Sequence, residues 1–373
     1  MKPRVGLVLS GGGARSAYQI GVLKALTAIL PASRNPFDVI VGTSAGAVAA
    51  GVLAAGASDW HRAVAGLDDV WSQFQISQVF RADGLSMLRA GAQWTFAAIT
   101  GGSMVRTPKS FLDNSPLREL LTQHVRLDQV QSQIDAGHLH ALALCSTSYG
   151  SGQSTAWYAA HPSVADWQRS SRRGVRIALD LDYLMASAAI PLLFPAVKLH
   201  GQFFGDGAMR QLAPLSPAIH LGAERLFAIG VRAVHTAGLG AARAEAQPPS
   251  VGQLFGFMLD TLFADQLYGD LEQLARLNRV AAEAPATGTR VIRTMTLSPS
   301  VDPRELAARH LRDMPFAVRA FMRAVGARGP SGGLLGSYLL FQSGYTRELI
   351  ELGISDAQAR AEEISSFFGY GNQ

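Results

Sequence analysis

The chain has 373 residues, 48% of them hydrophobic and 16% charged, with a formal net charge of +5. That balance excludes a disordered chain, and the length suffices for a large core, with no Pro/Ser linker run long enough to divide it. The single cysteine, Cys145, excludes an internal disulfide and favours a cytoplasmic protein, while the basic excess comes without a nucleic-acid-binding motif or aromatic interleaving, which sets nucleic acid aside.

Val5-Gly6-Leu7-Val8-Leu9 reads as a central strand and Ala17 to Leu30 as a helix, so Gly11, Gly12 and Gly13 form the loop between them. The apolar run before the glycines is too brief for a signal peptide, whose removal would also destroy the loop. Backbone N–H groups in such a loop point at an anion or a carbonyl oxygen above the helix N-terminus. In an acyl-transfer enzyme that is an oxyanion hole. A phosphate loop is the rival, but no Lys-Ser or Lys-Thr pair follows the glycines, and Ser16 stands where the third glycine of a dinucleotide fingerprint belongs. Arg15 is placed to order the loop, to meet a lipid phosphate, or to be a plain surface arginine.

A second glycine-framed turn, Gly42-Thr43-Ser44-Ala45-Gly46, follows the apolar run Val39-Ile40-Val41 and leads into a helix of small residues. Gly42 and Gly46 allow the sharp strand-to-helix turn of a nucleophile elbow, which makes Ser44 the candidate nucleophile. The same five-residue pattern recurs at Gly329-Pro330-Ser331-Gly332-Gly333, with no strand before it, and reads there as an interhelical loop.

Between elbow and acid, the aromatic-rich stretch from Val70 to Val105 predicts a helical lid insertion over about residues 70–115. Its longest charge-poor run, Ala90 to Val105, is too short to span a bilayer. His138 to Ala159 reads as two strands around Tyr149-Gly150-Ser151-Gly152, an antiparallel addition to a mostly parallel sheet. In Phe203-Phe204-Gly205-Asp206-Gly207-Ala208 a carboxylate stands between glycines, and Asp206 is the candidate base. The chain order Ser, Asp, His would also suit a triad with His220 or His235, although neither histidine lies in a glycine-framed loop.

Arg225 to Arg232 and Thr289 to Leu297 read as further strands, and Thr236 to Ser250 as a loop. Val251 to Leu277 carries apolar residues at helical spacing, expected to face the core. Residues 290–330 hold eight arginines against three carboxylates, a difference equal to the whole formal excess of the chain. There the segment 303–328, broken by Pro315, mixes basic and apolar groups, which suits peripheral contact with anionic lipid; a solvated face is the plainer alternative. No ligand cluster at metal-binding spacing is present, so neither a metal nor another cofactor is implied.

Four blocks together resemble the patatin-like phospholipases: Gly11-Gly12-Gly13-Ala14-Arg15, Gly42-Thr43-Ser44-Ala45-Gly46, the Ala186-Ser187 segment ending in Phe194-Pro195, and Asp206-Gly207-Ala208. Leu339 to Gly353 is similar to the C-terminal part of bacterial members, and Ala208 stands where many relatives carry glycine. The resemblance implies a Ser44–Asp206 dyad without a catalytic histidine, an oxyanion hole from the first glycine loop, and hydrolysis of lipid acyl esters. The expected fold is α/β, a three-layer α/β/α sandwich around a mainly parallel sheet. Residues 1–235 are the expected catalytic domain, with Gly42, Gly46, Gly207 and Arg15 supporting the site. Residues 236–373 are expected as a mainly helical extension with one further strand, packed on the same core. The expected activity is cleavage of phospholipid or lysophospholipid esters by a cytoplasmic protein in peripheral contact with the inner membrane surface. The alternatives are a carboxylesterase or thioesterase with a Ser-Asp-His triad and a non-catalytic membrane-binding scaffold.

Overall fold

Strands that are apolar along their whole length belong where both faces of a sheet are covered. Such are β1 (Val5–Leu9) and β2 (Val39–Thr43), and β3 (Ala141–Ser148) is likewise buried throughout. The computed structural model describes residues 3–31, 34–82, 110–233, 248–283, 290–327 and 329–370. The three strands pair in parallel, and β9 (Arg225–Ile229) and β10 (Arg293–Leu297) extend them in parallel beyond β1. On the other side β4 (Ser154–Ala160) runs antiparallel to β3, followed by β6 (Arg172–Arg176) and the two-residue β5 (Trp167–Gln168). The hairpin of β7 (Val197–Leu199) and β8 (Gln202–Asp206) joins through β8, which pairs antiparallel with the end of β3. The sheet order is β10-β9-β1-β2-β3-β4-β6-β5 among the described residues.

Successive strand residues point to opposite faces, and the core divides accordingly. Leu7, Leu9, Ile40, Leu142, Leu144 and Phe227 enter the larger layer. That layer contains α1 (Ala17–Ile29), α2 (Ala45–Ala55), α3 (Trp60–Ser72) and the C-terminal helices. Val8, Val41, Ala143, Cys145 and Ala228 enter a thinner layer covered by the helices Ser216–His220 and Gln266–Glu283. Helices thus lie on both faces of a mostly parallel sheet. The helix Ser343–Ala359 lies against α1, so the last third of the chain covers the first helix.

Three expectations need revision or stand apart. Ser331 is not in a loop: Gly329–Leu339 is helical, since with no strand feeding the glycines the turn continues as helix. The apolar stripe from Val251 onward is only half core, because Leu259 and Phe263 are buried while Val251, Leu254 and Phe257 are exposed. Most of the expected lid, residues 83–109, and most of the loop before Ser250 lie outside the described residues. At the lid's edge Trp71, Phe74 and Phe80 are buried in the larger core.

Candidate active site

Ser44 follows β2 at the carboxyl end of the parallel strands, the end at which open α/β sheets bind ligands. Its φ of 56° and ψ of −127° are a strained conformation for a non-glycine residue, here at a sharp strand-to-helix turn, and such strain persists only when the surroundings over-determine it. Those surroundings are visible. The Ser44 N–H donates to Ser187 Oγ at 2.9 Å, and the Ser187 hydroxyl donates to the Cys145 carbonyl at 2.6 Å. Side chains at Gly42 and Gly46 would run into the main chain of Ala47 and of Leu9, so the elbow closes only with glycine at both positions.

Asp206 ends β8, and β3 fixes it by register: Ser146 pairs with Asp206, and the Thr147 hydroxyl donates to the Gly207 carbonyl at 3.2 Å. The Asp206 N–H donates to the Ala189 carbonyl at 2.9 Å. Nucleophile and acid are therefore positioned from consecutive residues of one strand, Cys145 acting on Ser44 through Ser187 and Ser146 acting on Asp206. The Asp206 carboxylate is fully buried, and Oδ1 accepts the Ala208 N–H at 2.9 Å while Oδ2 has no partner at ordinary hydrogen-bond geometry. Burial pushes its pKa up to about 7, with no neighbouring cation among the described residues and against the weaker opposing influence of the Ser44 hydroxyl and the Ala208 N–H. A carboxylate so placed is ionised and basic near neutrality, which suits it to take a proton from a serine hydroxyl.

The glycine loop meets this pair directly. A Cβ on Gly11 would stand 2.9 Å from the Ser44 Cβ and 2.6 Å from the Phe263 ring, so the loop backbone approaches the nucleophile as closely as glycine permits. Gly13 has φ 52° and faces the Tyr338 carbonyl, and Gly12 accepts the Arg15 N–H at 3.1 Å. The start of the loop is pinned by Gln19, whose Nε2 donates to the carbonyls of Ser10 and Ile229, each at 2.9 Å.

Arg15 does not face solvent or the substrate space as a free cation. It is buried, with Nη1 on Asp260 Oδ1 at 2.8 Å and on the Tyr338 hydroxyl at 2.8 Å, Nε on Ser337 Oγ at 2.8 Å, and its guanidinium 3.9 Å from the Tyr338 ring centroid. Of the three readings open to it in the sequence, a plain surface arginine is overturned by this burial, and ordering the loop is the one that fits the geometry. Asp260 ends the helix Val251–Asp260 just before a π-helical turn, Thr261–Asp265, that carries Phe263 over Gly11. Asp260, Tyr338 and Phe263 had no signal in the sequence, since their roles arise only when distant helices meet the glycine loop. Ser187 lay within a recognised block, but its link between Ser44 and Cys145 needed the coordinates.

His220 ends the helix Ser216–His220, which leads to the amino end of β9, and its ring stacks on Trp167 at 4.9 Å. It is thus at the end of the sheet opposite Ser44, and it cannot complete a triad. His235 lies outside the described residues.

A family model described as patatin-like phospholipase matches residues 7–219, a span that contains the glycine loop, the elbow and the acid. The chain belongs to the patatin-like phospholipase family. It is therefore related to lipid acyl hydrolases, and its sheet with helices on both faces is the patatin fold. Curated protein sequences offer no match to this patatin-like chain. Among solved structures, it is similar at 12% identity to VipD from Legionella pneumophila, covering 97% of this chain and 67% of VipD with a TM-score of 0.36. It is similar at 13% identity to human GIVD cytosolic phospholipase A2 in complex with methyl gamma-linolenyl fluorophosphonate, with a TM-score of 0.39. That match covers 98% of this chain but only 58% of the human one. No helix among the described residues is long and apolar enough to cross a membrane.

Proposed function

We propose that this patatin-like protein hydrolyses carboxylic esters of phospholipids or lysophospholipids through a Ser44–Asp206 dyad. The observation that carries this reading is an elbow serine beside a buried aspartate with no charged partner among the described residues, raised to about 7. The Ser44 oxygen attacks the ester carbonyl while Asp206 takes its proton, and N–H groups of Gly11, Gly12 and Gly13 receive the negative charge that develops on the carbonyl oxygen. Collapse of the tetrahedral adduct breaks the bond to the alcohol, which leaves with the proton held by Asp206. Asp206 then takes a proton from water, the resulting hydroxide attacks the acyl-serine, and Ser44 recovers its hydrogen as the fatty acid departs.

Peripheral contact with anionic membrane through the segment 303–328 belongs to the same proposal. It is supported by Phe316, 72% exposed at the start of the helix Phe316–Ala324, with the exposed Arg312 just before it. The test of the dyad is labelling of the purified full chain with a fluorophosphonate, read beside phospholipid and lysophospholipid turnover. Labelling of wild type, none of Ser44→Ala and release of fatty acid from either lipid are the expected results. Equal labelling of Ser44→Ala would overturn the assignment.

A further inference from the structure

Ser44 stands at one end of a groove of about 570 Å³, within the range of small-molecule sites. Its described walls are single faces of three helices. On α2 the lining positions are Ala45, Val48, Val52 and Ala55, of which Val48 and Val52 recur with Ser44 every four residues and so form one stripe. Leu67 and Trp71 of α3 face them, and Leu117 and Leu121 of the helix Ser115–His124 close the third side. The groove is therefore apolar from the nucleophile outward. Its far end is different in kind, being rimmed by the exposed side chains of Arg62, His124 and Arg126.

The level of each wall residue follows from one contact. A Cβ on Gly56, at the end of α2, would stand 2.8 Å from the Ala63 Cβ, so Ala63 on α3 lies opposite the end of the groove remote from Ser44. Phe74, which follows α3, lines the groove together with Phe341 and Ser44. The two helices thus run in opposite directions along the groove, and Gly66, one turn along α3 from Ala63, lies at about the level of Val52.

We propose that this groove measures the acyl chain: one unbranched chain lies along α2 with its carbonyl at Ser44 and its tail directed to the Arg62–His124 rim. The inference rests on the ester-hydrolase reading and adds to it the kind of acyl group preferred. The eleven residues of α2 span about 16 Å, room for roughly a dozen extended methylene carbons. Each methylene drawn from water into the groove raises kcat/KM by up to about fourfold. Carbons beyond the rim return to water and add nothing, so the dependence on chain length levels off near a dozen carbons instead of falling at a closed wall.

The experiment uses the full chain and p-nitrophenyl esters from acetate to palmitate, each below its solubility limit. Wild type is expected to show kcat/KM rising with length to a plateau at roughly twelve carbons. Val52→Trp fills the groove about two turns from Ser44 and should move the plateau to roughly eight carbons, leaving butyrate turnover within about twofold. Gly66→Trp is the second plug. A Cβ there meets nothing within 4 Å, so the change enters open space without displacing backbone, and butyrate turnover reports that each variant is folded. The proposal is overturned if both variants turn over butyrate normally and keep the wild-type profile, or if wild type hydrolyses all chain lengths equally. Absence of any ester turnover by wild type, butyrate included, would overturn the hydrolase reading and with it this one. Loss of preference for long chains with butyrate preserved supports both.

Discussion

Arg15 and Asp206 are each 1% exposed, yet the fold treats the two buried charges in opposite ways. Arg15 has a carboxylate, a phenol hydroxyl and a serine hydroxyl within 2.8 Å and an aromatic ring beneath its guanidinium. Asp206 has one backbone N–H, a neighbouring serine hydroxyl and no cation among the described residues. A charge held on several partners, as Arg15 is through Nη1 and Nε with only Nη2 left without one, keeps structure in place, because moving it would strand those partners as well. A charge left nearly unmatched can gain or lose a proton near neutrality, which a general base must do. On the proposed reading Arg15 positions the glycine loop and Asp206 carries the chemistry.

The largest effects should fall on the reactive side of that contrast. Ser44→Ala is expected to take acyl turnover below detection while leaving the thermal midpoint near wild type. Asp206→Asn keeps an oxygen for the Ala208 N–H but cannot accept a proton, and should cost about 10³-fold in kcat. His220→Ala, acting on a ring stacked against Trp167, should retain activity within tenfold, and a loss near 10⁴ would revive the triad.

Next comes the positioning side. Asp260→Asn leaves the Arg15 guanidinium buried without its counter-charge, and unfolding in urea should show a loss of about 3 kcal/mol. Because Arg15 acts through the loop and not on substrate, kcat should fall with KM little changed, and Arg15→Lys should recover part of the stability but not the geometry of the fork. A variant with unchanged stability and unchanged kcat would break the comparison, since the matched charge would then hold nothing.

Much of this site was legible in the sequence, and the exceptions share a cause. The elbow, the glycine loop and the acid are local: each depends on a strand end, a few glycines and one side chain, all within a dozen residues. The positive φ of Ser44 and the close approach of Gly11 are consequences of those local patterns. Asp260, Ser337 and Tyr338 become part of the site only by packing across more than 240 residues of sequence, and nothing in their neighbourhoods announces it. The two Gly-x-Ser-x-Gly segments make the same point from the other side. A strand enters the first and forces an elbow, whereas the second has no strand and continues as the helix Gly329–Leu339.

At Asp206 the pH dependences of stability and of turnover should run in opposite directions. Asp206 has its folded pKa raised to about 7 from an ordinary value of 3.8, so between those values the folded protein holds a proton that the unfolded chain has released. Stability from this group is complete below about pH 4 and is lost as pH rises through about 7, at most about 4 kcal/mol in all. Turnover runs the other way, increasing as Asp206 ionises. In urea titrations Asp206→Asn should therefore match wild type below about pH 4 and exceed it increasingly from pH 5 to pH 8. The kcat/KM profile of wild type should climb to a plateau above about pH 7. A flat stability difference between pH 5 and 8 would mean that Asp206 is not the unmatched charge the comparison requires.

The smallest effect concerns the surface arginines, which test whether charge outside the core matters at all. Arg304 Nε meets Asp302 at 2.7 Å, Arg309 meets Glu348 at 2.8 Å and Arg323 also has a partner, so the segment presents less free positive charge than its sequence suggests. The surface pair Arg309–Glu348 contributes little to folding, whereas Asp302 is buried beneath Arg304, and the further contribution open to the segment is attraction to an anionic surface, about 1 kcal/mol for each arginine close to it and screened by salt. Replacing Arg312, Arg319 and Arg323 together by Gln should leave turnover of a short soluble ester within twofold. In sedimentation at low salt, Ser44→Ala protein should favour phosphatidylglycerol liposomes over neutral ones, and the triple change in that background should erase the preference. If the preference survives, the arginines are an ordinary solvated face, and the docking surface is to be sought among exposed apolar groups such as Val251, Leu254 and Phe257.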